Sequence, residues 1–254
     1  MDGPIFGLCA VLTSLTAAIC LRCAYERRHK STYRVSRRAH LSASVACFLG
    51  SLLAIPTVAD AVDRFAAANE VSSLAADVAA VIFTASLQIM IIDWEYSTAQ
   101  RAGIALRIVF VCVVAGLLVW QFRRADTVHH DLSTAYARSD EVRLYLLTYL
   151  GAAAAAGTEV SLRSGRLARA VWRQGRPAAT GLAVASAGAT FGVLYALSRG
   201  GYLIAYEQGH AWPLRLENAI SPVLAGLCIG CVAVGLTMTT ISSNISPRSV
   251  GNKV

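Results

Sequence analysis

The sequence predicts an all-α polytopic membrane protein with seven transmembrane helices, its N-terminus outside and its C-terminus cytoplasmic. Three observations lead there. The chain is 56% hydrophobic and only 15% charged, with a mean hydropathy of +0.53, which lies outside the range of ordinary soluble domains. Its apolar runs are long and rich in Ala, Leu and Val; a helix needs roughly 20 such residues to cross a bilayer, whereas outer-membrane strands give alternating segments of about 10. Finally, Arg22 to Arg38, RCAYERRHKSTYRVSRR, packs seven basic side chains between the first two runs. Lys and Arg are enriched in cytoplasmic loops, so this stretch sets an orientation that later spans follow by alternation.

The first span is expected at about Pro4 to Ala24. Its leader, MDGP, carries an acid and no base, so it is read as a retained span and not a cleaved signal peptide. The second runs from about Ala39 to Ala59, with Pro56 as a kink near its far end; Asp60, Asp63, Arg64 and Glu70 then form a short outer loop. The third, Ser72 to Ile92, holds Asp77 one turn in and Gln88 deeper, and ends at DWEY, where Trp94 and Tyr96 suit an interfacial aromatic belt. In the fourth, Ala102 to Phe122, Arg107 lies near enough to the inner end to snorkel. Arg123 to Glu141, with His129, His130 and Asp131, is the longest outer loop.

The fifth span, Val142 to Leu162, passes through GAAAAAG and reaches Glu159. A second basic loop follows, RSGRLARAVWRQGR from Arg163 to Arg176. The sixth, Ala178 to Leu197, is expected to stop at Arg199, Gly200 and Gly201, leaving Tyr202, Tyr206, Glu207, His210, Trp212 and Arg215 in an outer loop. The seventh, Leu216 to Ile241, opens with Glu217 and Asn218 and contains Pro222. Residues 1–241 are thus one bundle and 242–254 a short cytoplasmic tail. Of the 23 basic residues, sixteen fall on the inner side of this arrangement; only Arg64, Arg123, Arg124, Arg138, Arg143, Arg199 and Arg215 fall outside.

The net charge of +8 is accounted for by orientation, so it does not point to nucleic acid. All seven cysteines sit in or beside apolar runs, where a thiol acts as a small hydrophobe. Cys20/Cys23 and Cys228/Cys231 have CxxC spacing, but no His or second close pair accompanies them in the sequence, and packing is the reading. His129, His130 and Asp131 lack a fourth ligand and read as a solvated loop. No metal and no cofactor are expected, and the soluble catalytic templates are absent. GxxxG occurs at Gly188 to Gly192 and at Gly226 to Gly230; bundle packing is the simpler use, and a homo-oligomer face the other.

Ionisable residues at membrane depth carry more information, since an unpaired charge there costs at least about 2.5 kcal/mol. They sort into two layers. Asp60, Asp63, Asp77, Arg143, Arg199, Glu207, His210 and Glu217 lie towards the outer face, with Tyr145, Tyr149, Tyr195 and Tyr202 nearby. Gln88, Asp93, Glu95, Arg107, Glu159 and Arg163 lie towards the inner one. The outer set reads either as a cavity floored by carboxylates and walled by tyrosines or as helix ends in the wet headgroup zone. Asp77 and Glu217, held within helices, favour the cavity. In the inner set, Arg107 or Arg163 would neutralise Glu159, as a structural pair or a relay.

The chain also resembles a group of uncharacterised actinobacterial seven-helix membrane proteins of transporter or integral-membrane-regulator type. The residues that carry this are the basic first loop, AIPTVADAVDRF at Ala54 to Phe65, SLQIMIIDW at Ser86 to Trp94, TEVSLRSGRLAR at Thr158 to Arg169, and ISPVLAGLCIGCVAVGLTM at Ile220 to Met238. The resemblance covers about Phe6 to Thr239 and implies a bacterial plasma-membrane location. Those proteins often continue into a soluble C-terminal domain, which this sequence does not show. In length and helix number the chain is also similar, more loosely, to small membrane-bound terpene cyclases, which use acids in a membrane cavity as proton donors.

Two functions from different classes follow. The leading expectation is a binding or sensory protein that takes a small apolar or amphipathic ligand from the outer side, with Asp77, Arg199, Tyr202, Glu217, Tyr149 and Tyr195 as ligand contacts. The alternative is a membrane enzyme in which Asp77, Glu217 or Asp60 acts as general acid on an isoprenoid or other lipid-like substrate. Solute transport is a third reading, weakened by an odd helix count that does not divide into two inverted repeats.

Overall fold

A computed structural model describes residues 2–26, 34–95, 100–125, 132, 139–173 and 176–241. Within them the chain is all-helical, without strands: α1 (Asp2–Glu26), α2 (Arg34–Leu53), α3 (Pro56–Ala66), α4 (Val71–Glu95), α5 (Gln100–Arg124), α6 (Asp140–Val171), α7 (Arg176–Glu207) and α8 (Leu214–Ile241). Five of these, α1, α4, α5, α7 and α8, are long and apolar enough to cross a membrane, and the bent pair α2 and α3 raises the count to six. The expected fifth span lies in α6, which is 32 residues long. Thr148, Gly151, Gly157, Thr158 and Glu159 dilute its apolar stretch below that of the others.

Six helices close a ring in the order α1, α2, α4, α6, α7, α8 and back to α1, while α5 lies outside against α4 and α6. The outward face of α5 exposes Leu106, Val109, Val113 and Trp120, an apolar surface of the kind lipid covers and water does not. Inside, Phe83, Leu87, Met90, Val160 and Val232 form one core cluster, and Val81, Leu118, Tyr145, Leu146 and Leu203 another.

Small residues hold α7 against α8. A Cβ on Gly235 would lie 2.5 Å from the Gly181 carbonyl oxygen and 2.7 Å from the Ala185 nitrogen, and one on Gly188 would lie 2.8 Å from the Val232 nitrogen. Of the two GxxxG motifs, Gly188 and Gly192 face α8, Gly226 faces Ile5 of α1, and Gly230 faces open space. Three of those four glycines therefore serve contacts within the chain.

The structure corrects three boundaries. Pro56 does not kink α2: the helix ends at Leu53 and Pro56 opens α3, turned by 90°. Proline lacks the N–H that a first helical turn leaves unused, so it starts a helix more readily than it continues one. The expected loop of Asp60, Asp63 and Arg64 is therefore helix α3, which buries none of its residues and leaves Phe65 94% exposed. Second, α6 continues past Leu162 to Val171, so most of the second basic stretch is helical. Third, α7 runs through Gly200 and Gly201 to Glu207, a glycine within a helix costing only about 1 kcal/mol; Tyr202, Tyr206 and Glu207 belong to the helix, not to a loop.

Side chains tie the helix ends together. Asp63 accepts from the Ser72 backbone N–H at 2.8 Å, the Ser72 hydroxyl at 3.0 Å and the Glu70 N–H at 3.2 Å, and so caps α4 from α3. Asp93, at the other end of α4, accepts from the Ser36 N–H in the first turn of α2 at 3.0 Å. Substituting a capping acid costs about 1 kcal/mol. Asp63→Ala is thus expected to lower thermal stability by that amount and to speed proteolysis at the turn of residues 67–70, where Ala67 and Glu70 adopt positive φ. Unchanged unfolding and cleavage would remove Asp63 from this role.

Candidate functional site

The ring encloses a cavity of about 290 Å³ near the end that carries α3. Every ring helix contributes to its wall: Phe6 from α1, Cys47 and Ser51 from α2, Asp77 and Phe83 from α4, Tyr149 from α6, Tyr195 and Arg199 from α7, and Ala225 and Ile229 from α8, joined by Leu132. The break after α2 places Leu53 and Ala54 at its rim. Beside it lies a second chamber of about 140 Å³, lined by Leu87, Ala153, Gly157, Val160, Gly192, Cys228 and Val232. Ala80, Phe83, Tyr149, Tyr195, Ala225 and Ile229 form the partition and touch both. The first chamber carries the charged groups, and the second is almost wholly apolar.

Helical spacing puts these side chains there. Ser73, Ala76, Asp77, Ala80 and Phe83 fall on one face of α4, and Tyr195 and Arg199 on one face of α7, four residues apart. Tyr145 donates to Asp77 Oδ2 at 2.8 Å, and Arg199 Nη1 donates to the Tyr195 hydroxyl at 3.1 Å. Asp77 and Arg199 face the same cavity without pairing: among the described residues no carboxylate lies within 4.0 Å of Arg199. Arg199 Nε and Ser51 Oγ are buried and have no hydrogen-bond partner.

The expected site residues therefore divide. Asp77, Tyr149, Tyr195 and Arg199 line one cavity. Glu217 does not join them; it is 1% exposed and accepts from Ser198 Oγ at 3.0 Å, Trp212 Nε1 at 3.2 Å and Ser221 Oγ. Tyr202 packs beside that group, its ring edge-on to Trp212 with centroids 5.6 Å apart. Three donors to one carboxylate satisfy it internally, and the cluster fastens the connection between α7 and α8. Asp60 is exposed on α3. Arg143 meets Asp140 and Glu207 at 2.7 and 3.4 Å on the surface.

The inner set divides as well. Arg107 and Arg163 both pair with Glu159 Oε1, the latter at 2.9 Å, and Gln88 Nε2 donates to Oε2 at 2.7 Å. This knot joins α4, α5 and α6. Asp93 stands apart from it, near the end of α4, bonded to the start of α2.

Sequence reasoning missed three features. Ser51, two residues before the end of α2, is an ordinary small residue of an apolar run until the ring closes round it. Ser221 was legible in principle, being four residues after Glu217. His40 reaches Cys20, the thiol and Nε2 sharing a hydrogen bond at 3.3 Å, so a histidine does accompany one CxxC cysteine, from a different helix. The six described cysteines are free thiols, and among the described residues no three His, Cys, Asp or Glu side chains converge as metal ligands. His129, His130, Asp131, Tyr96 and the tail from residue 242 lie outside the described residues.

Comparison of the chain with protein-family models, with curated proteins and with solved structures finds no match.

Proposed function

We propose that this is a seven-span protein of a bacterial plasma membrane, N-terminus outside, that binds a small amphipathic molecule within its helical ring and serves as a binding or sensory protein. The observation that carries this reading is the pair of chambers with a common wall, one bearing Asp77, Arg199 and two tyrosines, the other apolar. Ligand sites within bundles are mostly apolar, with a few polar groups that fix orientation. The segregation of basic residues supports the orientation, which turns the larger chamber towards the outer half, and α6 supplies the seventh span because it completes the ring.

Ala80 touches both chambers, so Ala80→Phe is expected to fill the place where they adjoin and keep one molecule from occupying both. Mass spectrometry of organic extracts from purified protein would then show a molecule retained by the wild type and lost from the folded variant. Identical extracts, with nothing retained by the wild type, would defeat the reading.

One observation favours an enzyme as the second reading. Of the three candidate acids, Asp77 alone faces the cavity, and only one of its oxygens is held, by Tyr145. A protonated Asp77 would deliver its proton to an alkene or epoxide lying against Phe83 and Tyr149. Turnover of polyprenyl substrates by the wild type and its absence in Asp77→Asn is the expected result; no turnover by folded wild type excludes it.

A further inference from the structure

Asp77 and Arg199 line the first chamber, and no direct ion pair joins them. Asp77 projects from α4 and Arg199 from α7; each holds one phenol, Tyr145 and Tyr195 respectively, in place of a direct ion pair. Arg199 retains a buried Nε–H with no acceptor, and the Ser51 hydroxyl on α2 is buried in the same wall without a partner. Buried polar groups are ordinarily satisfied, so an orphaned guanidinium N–H on a cavity wall points to an acceptor supplied from outside the chain.

Charge balance limits what that acceptor belongs to. With Asp77 ionised, a bare anion on Arg199 would leave the site with one excess negative charge in low dielectric, and a bare cation on Asp77 would leave one excess positive charge. A molecule carrying both leaves none and gives each residue a partner. The second chamber limits the remainder. At about 30 Å³ per water-sized group, 140 Å³ holds roughly five chain carbons, against Leu87, Val160 and Val232.

We propose that the occupant is a zwitterionic amphiphile whose ammonium end sits on Asp77, whose carboxylate or phosphate end sits on Arg199 with Ser51, and whose short apolar tail enters the second chamber. This rests on the reading of the cavity as a ligand site and adds the chemical class of the ligand.

Four probes with chains of the same length separate the possibilities: 2-aminooctanoate, octanoate, octylamine and 1-octanol. Each is titrated calorimetrically into the full chain in phosphatidylglycerol nanodiscs. Ala153→Phe, which fills the second chamber, gives the background for partition into the bilayer. 2-Aminooctanoate is expected to bind about tenfold or more tightly than the other three. Arg199→Gln should reduce its affinity to that of octylamine, and Asp77→Asn to that of octanoate. Arg199→Lys retains the charge that the fold surrounds and, lacking the planar fork, should still lose affinity; it serves if Arg199→Gln does not fold.

Octanoate or octanol binding the wild type as tightly as 2-aminooctanoate would overturn the zwitterion. If no probe binds above the Ala153→Phe background, the ligand site itself is overturned. Loss of 2-aminooctanoate binding in discs that contain phosphatidylethanolamine identifies a lipid head as the natural source of the zwitterion; unchanged binding identifies a free amphiphile.

Discussion

Replacing Glu159 by leucine is expected to be the most destabilising single change in the polar framework, at about 3 kcal/mol. Among the described residues Glu159 is the acid that pairs with both Arg107 and Arg163, and it also accepts from Gln88. Removing one partner of a buried pair costs roughly 3–5 kcal/mol because a charge is left without compensation; a side chain 25% exposed sets the expectation at the lower end of that range. Arg107 of α5 would then lose the carboxylate it pairs with, and Gln88 the acceptor that its amide nitrogen has among the described residues. Arg107→Leu should cost less, since Arg163 remains on Glu159. In the double variant Arg107→Leu with Glu159→Leu, the loss should be smaller than the sum of the two, since the charge that each single change strands is removed with its partner. Equilibrium unfolding in mixed micelles measures all three. A Glu159→Leu protein within about 0.5 kcal/mol of wild type would show that the knot is not structural.

The second large effect lies between α7 and α8. Gly235→Val would drive a side chain into the Gly181 carbonyl and the Ala185 nitrogen, both backbone atoms. Side chains can turn aside, but two helix backbones in contact yield only by separating. Overpacking costs about 1–3 kcal/mol, and a backbone clash belongs at the top of that range. Because α8 also walls the cavity through Ala225 and Ile229, the same change should open the ligand site. Gly116→Ala on α5 is the control: nothing lies within 4 Å of its Cβ position, and the gain in helix propensity makes it neutral or slightly stabilising. Thermal unfolding in detergent, with Gly235→Val far below Gly116→Ala, is the expected order. Equal melting temperatures would mean that the glycine contact does not determine how close the two helices lie.

The helices were legible because apolar runs of about twenty residues have one good solution in a bilayer. Their ends were less so. Gly200 and Gly201 read as a stop, yet α7 continues through them to Glu207, because a glycine weakens a helix by only about 1 kcal/mol and does not by itself end one. Pro56 had two local readings, a kink or a start, and hydropathy did not distinguish them. Within the site, Asp77, Tyr149, Tyr195 and Arg199 stood out because polar groups in apolar helices need partners. Glu217 stood out for the same reason, but its partners come from its own neighbourhood and from Ser198 and Trp212. Separating the two required the order of helices round the ring, which no residue pattern encodes. The pairing of Glu159 was legible down to a choice of two arginines, and both are used.

The closure of the ring has a consequence for synthesis. Cys9 of α1 donates to the carbonyl of Gly226 on α8, 217 residues later, and Gly226 is packed against Ile5 of the same helix. At roughly 5–20 residues per second, a ribosome takes about 10–40 s to cover that interval. For that time the first helix waits beside α2 with the face that carries Cys9, Thr13 and Thr16 turned to a vacant place. The cavity is not enclosed until α8 arrives. A chain released before α8 would therefore lack the side of the wall that Ala225 and Ile229 supply, and Asp77 and Arg199 would face an open groove instead of a closed cavity.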